Sequence, residues 1–121
     1  MPEARPPVWV GHISLRTRSM DDSAAFMERI GMRGVFRGDE VVIFELRGGT
    51  HLVVINDADS TPGEAGFDLM VEDIDAAHAD YAEAGEVSEI ERGNIHDAFV
   101  VTEPGGNTIV VNSSHVTDLP V

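Results

Sequence analysis

Cysteine is absent from this 121-residue chain, and its absence limits the chemistry available to the protein. Without thiols there are no disulfides, no thiolate nucleophile and no cysteine ligand for zinc. Histidine, aspartate and glutamate are the strong metal ligands that remain. Any metal site in the chain must therefore be built from imidazoles and carboxylates.

Basic residues are also scarce. Eight lysines and arginines stand against 22 aspartates and glutamates, which gives a formal net charge of −14. Nucleic acids and anionic membrane surfaces are bound mainly through basic side chains, so we expect neither as a partner. No segment approaches the roughly 20 consecutive apolar residues of a membrane span, and the N-terminus lacks the apolar core of a signal peptide. We therefore expect a cytoplasmic protein.

The size and composition indicate one globular domain over residues 1–121. Apolar residues make up 42% of the chain and charged residues 25%. A chain of this length buries roughly two-thirds of its unfolded surface when it folds. This is enough for one core, and two independent cores are not expected.

Two halves of the sequence repeat the same order of elements. The first half predicts a strand at 8–17, a helix ended by Gly31, and strands at 35–36, 41–46 and 51–55. The second half predicts a strand at 66–71, a helix at 73–84 ended by Gly85, and strands at 98–102 and 108–112. The pattern indicates two modules, at about 8–57 and 65–115, joined by a linker at 58–64.

Four short motifs place the chain near a known superfamily. They are Gly11-His12-Ile13, FMERIGM at 26–32, VEDID at 71–75 and EPGGN at 103–107. Together they resemble the vicinal oxygen chelate superfamily, which includes glyoxalase I, bleomycin-resistance proteins and extradiol dioxygenases. The resemblance implies an α+β fold in which two βαβββ modules form an open, mostly antiparallel, eight-stranded barrel-like sheet with the ligand on its concave side.

The resemblance also implies four metal-binding positions, one on the first and one on the last strand of each module. In this sequence they carry His12, Val53, Gly66 and Val110. Aliphatic side chains and glycine offer no side-chain ligand to a metal ion. Only His12 can bind a metal, and the superfamily's usual metal chemistry is therefore not expected.

The two-residue period of the strands predicts which side chains face the cavity. Histidines, arginines, carboxylates and an amide share the face opposite the apolar set, around a patch of aliphatic residues: His12, Arg16, Glu45, Arg47, His51, Asp68, His96 and Asn112. An apolar cavity with a few polar groups is typical of small-molecule sites. A solvated sheet face would give the same alternation.

Individual roles follow from the chemistry of these side chains. His12 and His51 are predicted as acid/base residues, because imidazole titrates near neutrality. Arg16, Glu45, Arg47, Asp68 and Asn112 are predicted to bind the ligand, with ion pairs between these arginines and carboxylates as the alternative. We predict that Glu103 is a turn residue and that His115 lies at the cavity mouth or on the surface, and we assign His78 no role.

Three functions remain open from the sequence. The first is a small-molecule-binding protein that sequesters its ligand or performs metal-independent acid/base chemistry. The second is a lyase, isomerase or dioxygenase that holds a divalent ion such as Zn, Fe, Ni or Mn at a displaced His12/His51/His96 site. The third is an interaction module without chemistry of its own.

A homodimer is expected for each of these functions. Exposed sheet edges invite pairing with a second chain. The segment Val8-Trp9-Val10 is the predicted interface strand, with Trp9 as its anchor.

Overall fold

Residues 4–121 are described by a computed structural model with two modules of the same element order. The first module consists of β1 (His12–Thr17), α1 (Met20–Arg29), β2 (Arg33–Arg37), β3 (Val41–Glu45) and β4 (His51–Asn56). The second consists of β5 (Glu64–Val71), α2 (Ile74–Tyr81), β6 (Glu86–Val87), β7 (Ala98–Thr102) and β8 (Thr108–Ser113). The predicted α+β fold of two βαβββ modules is confirmed.

Each module contributes one four-stranded mixed sheet. The strand orders are β1-β4-β3-β2 and β5-β8-β7-β6. β1 runs parallel to β4, and β5 runs parallel to β8, whereas the remaining neighbours are antiparallel. β1 and β5 contact each other at the junction, although they belong to separate sheets. The two sheets are thus arranged edge to edge, with their modules related by the repeat in the sequence.

Local signals define the two helices. α1 carries Asp21 and Asp22 in its first turn, where carboxylates complement the helix dipole. The side chain of Asp73 caps α2 by accepting a hydrogen bond from the Ala76 amide at 3.0 Å. α2 ends at Tyr81, three residues before the predicted end. Gly85 is required after it, since a Cβ there would lie 2.7 Å from the carbonyl oxygen of Thr102.

One hydrophobic core joins the two modules. The inward residues of the strands alternate with exposed ones, as the two-residue period predicts, and they pack beneath both helices. Phe26 of α1 meets Tyr81 of α2 with ring centroids 6.5 Å apart, and Tyr81 meets Phe99 of β7 at 5.8 Å. Both contacts are edge-on, an arrangement that aromatic rings favour. The helices therefore cover one side of the sheets and leave the opposite faces open.

Glu103 lies at the centre of a buried polar cluster and is not simply a turn residue. It is 1% exposed and accepts hydrogen bonds from the Ser23 hydroxyl at 2.6 Å, the Gly105 amide at 2.7 Å and the Asn107 side-chain amide at 2.9 Å. The Ser23 hydroxyl also lies 2.8 Å from that of Thr17. The cluster ties the first module to the turn between β7 and β8.

The N-terminal strand is shorter than predicted. β1 begins at His12, which is paired with the first residue of β4, His51. Residues 8–10 precede the ladder and are exposed, and the Val10 carbonyl accepts a hydrogen bond from the Thr50 hydroxyl at 2.7 Å. Among residues 4–121 no helix is long and apolar enough to cross a membrane.

Candidate functional site

Four polar residues form a row across the open face of the first sheet. His12 of β1 is in register with His51 of β4, His51 with Glu45 of β3, and Glu45 with Arg33 of β2. The inward neighbours on these strands, such as Phe44 and Leu52, are buried. The alternation therefore turns the row away from the core. We call His12, His51, Glu45 and Arg33 the first-sheet row.

The contact between His51 and Glu45 determines which ring nitrogen of neutral His51 carries the hydrogen. Nε2 of His51 lies 3.3 Å from Oε2 of Glu45. An ionised carboxylate only accepts hydrogen bonds, so Nε2 carries the proton and Nδ1 keeps its lone pair when His51 is neutral. The ring centroid of His12 lies 5.6 Å from that of His51, with an angle of 71° between the planes. Two imidazoles, one of them held by a carboxylate, therefore stand side by side.

Arg33 keeps the carboxylate of the row ionised. Its guanidinium forms an ion pair with Glu45, and this hydrogen bond, followed by that from His51, lowers the pKa of Glu45 below its ordinary value of 4.5. Glu45 is consequently negative at neutral pH and can orient His51. Sequence reasoning did not select Arg33, because only the pairing of β2 with β3 brings it beside Glu45.

The predicted arginines lie apart from the row. Arg16 is on the open face of β1, but it forms an ion pair with Asp57 at 3.2 Å. Arg47 was expected on the same face as Glu45. The strand ends before it, and Arg47 instead pairs with Glu72 of the second module at 2.9 Å. Neither arginine meets Glu45 or Asp68 in an ion pair within residues 4–121.

Asp68 and Asn112 form a separate polar pair on the second sheet. The side-chain amide of Asn112 donates to Asp68 at 2.5 Å. Asp68 and Arg47 both line an open groove of about 480 Å³ between the modules, whose apolar wall includes Ile30, Met32 and Leu69. None of the histidines lines this groove among the residues that the structure describes. The predicted polar residues are thus dispersed over the first-sheet row, the groove and positions that belong to neither.

The predicted set of three histidines is not brought together. His96 lies in the loop before β7, outside the strand, and its ring is beside that of His115. Within residues 4–121 no group of three or more histidine, aspartate or glutamate side chains is placed to hold a metal ion. In a single copy of the chain the three histidines of the displaced site do not meet, because the β6–β7 loop carries His96 beside His115.

Comparison with known families agrees with this architecture. The sequence model of the glyoxalase/bleomycin resistance protein/dioxygenase superfamily matches residues 9–111. The chain belongs to this superfamily. The resemblance to the vicinal oxygen chelate proteins is thereby confirmed, whereas none of the curated protein sequences matches the chain.

Solved structures of this superfamily share the fold. Lactoylglutathione lyase from Agrobacterium tumefaciens is 18% identical, with a TM-score of 0.76 over 95% of this chain and 100% of that one. A bleomycin resistance determinant encoded on transposon Tn5 is 20% identical, with a TM-score of 0.68 over 90% and 100%. The bleomycin-binding protein of Streptomyces verticillus, solved with copper(II)-bleomycin, is 17% identical, with a TM-score of 0.64 over 91% and 99%. These TM-scores establish a common fold.

The metal positions of the superfamily do not fit a metal in this member. Val53, Gly66 and Val110 supply no side-chain donor, so His12 would be the single protein ligand among the four. Val110 is also 43% exposed on the open face of the second sheet. The side chains at these four positions therefore do not form the superfamily's metal centre.

Proposed function

We propose that the protein is a cytoplasmic small-molecule-binding member of the superfamily whose ligand lies on the open face of the first sheet. The observation that carries the proposal is the first-sheet row, in which Glu45 orients His51 beside His12. The face around the row is lined by half-buried aliphatic residues, Ile43, Val53 and Ile55. Apolar walls with a few convergent polar groups are typical of ligand sites.

His51 is the proposed proton acceptor of the site. Its Nδ1 keeps a lone pair while Nε2 is engaged by Glu45, so Nδ1 is the ring atom that would accept the proton. His12 would then bind the ligand or return the proton. These side chains support metal-independent acid/base chemistry or, if the ligand does not react, its sequestration.

The comparisons support a small-molecule ligand of this kind. Two neighbours in fold are a bleomycin resistance determinant and a protein solved with copper(II)-bleomycin. The net charge of −14 creates a negative field around the chain, which favours cationic or neutral ligands over anions.

A homodimer would complete the proposed site. Met70, Val100 and Val110 are 49%, 36% and 43% exposed on the open face of the second sheet. An apolar sheet face of this kind is usually covered in a stable protein. A second copy that covers it could also enclose the first-sheet row, and the exposed Val8-Trp9-Val10 segment offers further apolar contact area.

The proposal can be tested with ligands and histidine variants. Bleomycin, lactoylglutathione and a small-molecule fragment library are titrated while the imidazole resonances are followed by NMR. We expect compounds that bind to shift His12 and His51, and we expect His12→Gln or His51→Gln to weaken their binding by at least about tenfold, since each removes a polar ligand contact. A bound compound recovered unchanged indicates sequestration, and one converted by wild type but not by His51→Gln indicates acid/base chemistry.

The matched control is His78→Gln. His78 donates to the Ser88 carbonyl at 2.8 Å and lies away from the row, so its replacement should leave ligand binding unchanged. Ligand binding that persists in the His12→Gln/His51→Gln double variant would contradict the proposal. Stoichiometric metal that is lost from either single variant would favour the divalent-metal enzyme instead.

A further inference from the structure

A second pair of histidines lies at the opposite end of the chain from the first-sheet row. His96 is in the loop that leads into β7, and His115 follows β8 by two residues. Their ring centroids are 5.1 Å apart, with 33° between the ring planes. The two side chains come from segments 19 residues apart in sequence and meet only because β7 and β8 are neighbours.

Hydrogen bonds and ion pairs hold the backbone around this pair in place. The Ser113 amide donates to the Asp97 carbonyl at 2.8 Å, and the Asp97 amide donates to the Ser113 hydroxyl at 2.8 Å. Arg92 bonds the carboxylate of Asp97 at 3.0 Å and that of Asp75 at 2.7 Å. These contacts fix the loop that carries His96 against the strand end that precedes His115, so the pair is preorganised.

The surroundings of His115 determine which of its nitrogens is free. Its Nδ1 lies 3.2 Å from the carbonyl oxygen of Ser113. A carbonyl only accepts, so Nδ1 carries the hydrogen and Nε2 keeps its lone pair when the ring is neutral. Histidines that bind metals commonly donate their other ring nitrogen to a backbone carbonyl in this way.

His96 has a polar atom that the protein leaves unpaired. Its Nδ1 is buried, and among residues 4–121 it is the one buried side-chain nitrogen or oxygen without a hydrogen-bond partner. Most buried polar atoms in native proteins have a partner, which can be protein, water or an ion. The described residues therefore leave this ring nitrogen of His96 available to a partner from outside the protein.

The separation of the two rings is compatible with two ligands of one metal ion. Two imidazoles bound to a tetrahedral ion at about 2.0–2.1 Å would place their ring centroids roughly 5.3 Å apart. The observed 5.1 Å is close to this separation. We propose that His96 and His115 form a two-histidine site for a late first-row divalent ion such as Zn, Ni or Cu, the ions for which imidazole is well suited.

Space and charge around His96 are compatible with such an ion. A shallow hollow of about 340 Å³ is lined by His96, Glu91 and Arg92. The guanidinium of Arg92 is already neutralised by Asp75 and Asp97. Because no third histidine or carboxylate is placed to join the pair within residues 4–121, solvent would fill the remaining positions. The site is distinct from the first-sheet row and does not depend on its proposed function.

Zinc binding to protein without an affinity tag tests the proposal. ZnCl₂ is titrated by calorimetry in a buffer that does not chelate metals, and long-range ¹H–¹⁵N spectra report the ring nitrogens of all five histidines. We expect about one zinc ion per chain, with the signals of His96 and His115 changing. His96→Gln and His115→Gln should each weaken zinc binding by at least about tenfold, since loss of a ligand costs no less than loss of its outer-shell partner.

Two matched controls separate this site from the remaining histidines. His78→Gln and the His12→Gln/His51→Gln double variant should bind zinc as the wild type does, and His96→Gln should still bind ligands at the first-sheet row. Circular dichroism and the thermal midpoint establish that each variant is folded. Zinc binding that is absent, that persists in His96→Gln and His115→Gln, or that is lost in the His12→Gln/His51→Gln variant would overturn the proposal.

Discussion

The two sheets present different chemistry at the same place in a repeated fold. In the first sheet, one register row reads His12, His51, Glu45 and Arg33. The row that matches it in the second sheet reads Glu64, Thr108, Thr102 and Glu86. The first row contains two imidazoles, whereas the second row contains two hydroxyl groups and two carboxylates and no imidazole.

The open face of the second sheet differs in a second respect. Met70, Val100 and Val110 are exposed there, and the polar pair Asp68 and Asn112 lies to one side of them. A duplicated frame thus allows one module to carry titratable groups and the other to carry an apolar surface. The fold positions both sets in the same way, so the division is made by side chains alone.

The largest expected effect concerns Glu103, because its cluster holds the two modules in one core. Glu103→Ala would leave buried donors of Ser23, Gly105 and Asn107 without their acceptor and would open a cavity. We expect the free energy of unfolding to fall by about 3–5 kcal/mol, and by about 1–3 kcal/mol for Glu103→Gln. Urea denaturation measures both values.

Glu89→Gln is the control for this comparison. Glu89 is exposed, and its replacement should change the free energy of unfolding by no more than about 0.5 kcal/mol. Equal effects of the Glu103→Gln and Glu89→Gln changes would show that the buried cluster does not join the modules.

The second-largest expected effect is on self-association through the apolar face of the second sheet. Val110→Asp should weaken self-association of the proposed homodimer by at least about tenfold, because each copy would bury an unpaired carboxylate. Sedimentation velocity over a concentration series measures the change. Leu119→Asp, at a residue of similar exposure outside the sheets, should leave association unchanged. A Val110→Asp protein that sediments like the wild type would contradict a dimer built on this face.

The smallest effect is a pH dependence from the first-sheet row. Arg33 and then His51 lower the pKa of Glu45 below 4.5 in the folded protein, so its stabilising contribution is present above pH 4.5. The contribution is lost as the pH falls through the lowered pKa. Glu45→Gln should therefore lower the thermal midpoint slightly at pH 7, and the difference from wild type should vanish below that pKa.

The thermal midpoint of Glu89→Gln, measured over the same pH range, is the control for Glu45→Gln. Glu89 lies outside the first-sheet row. The difference in thermal midpoint between Glu89→Gln and wild type should therefore not change as Glu45 titrates. A difference between Glu45→Gln and wild type that is constant from pH 7 to the acid limit would mean that the ion pair of Glu45 contributes nothing.

Much of the fold and part of the site could be predicted from local sequence. Alternation along the strands correctly separated buried Phe44 and Leu52 from outward His12, His51 and Glu45. The partners of these residues could not be predicted, because register between strands depends on how the whole sheet assembles. Arg33 was missed for this reason.

Loops and turns were the least predictable regions. Periodicity ends where a strand ends, so Arg47 and His96 were assigned to a face that they do not occupy. Glu103 was read as a turn residue, since a sequence does not show that a hydroxyl 80 residues earlier lies beside it.

The sequence by itself determined the duplicated α+β frame and the face on which each residue within a strand lies. It did so because propensity, glycine position and a two-residue period act over a few neighbouring residues. The tertiary structure decided which residues became partners: Glu45 with His51, Arg47 with Glu72, His96 with His115, and Glu103 with Ser23. Each of these contacts joins segments that only strand pairing and a common core bring together, and no local pattern encodes such a distance.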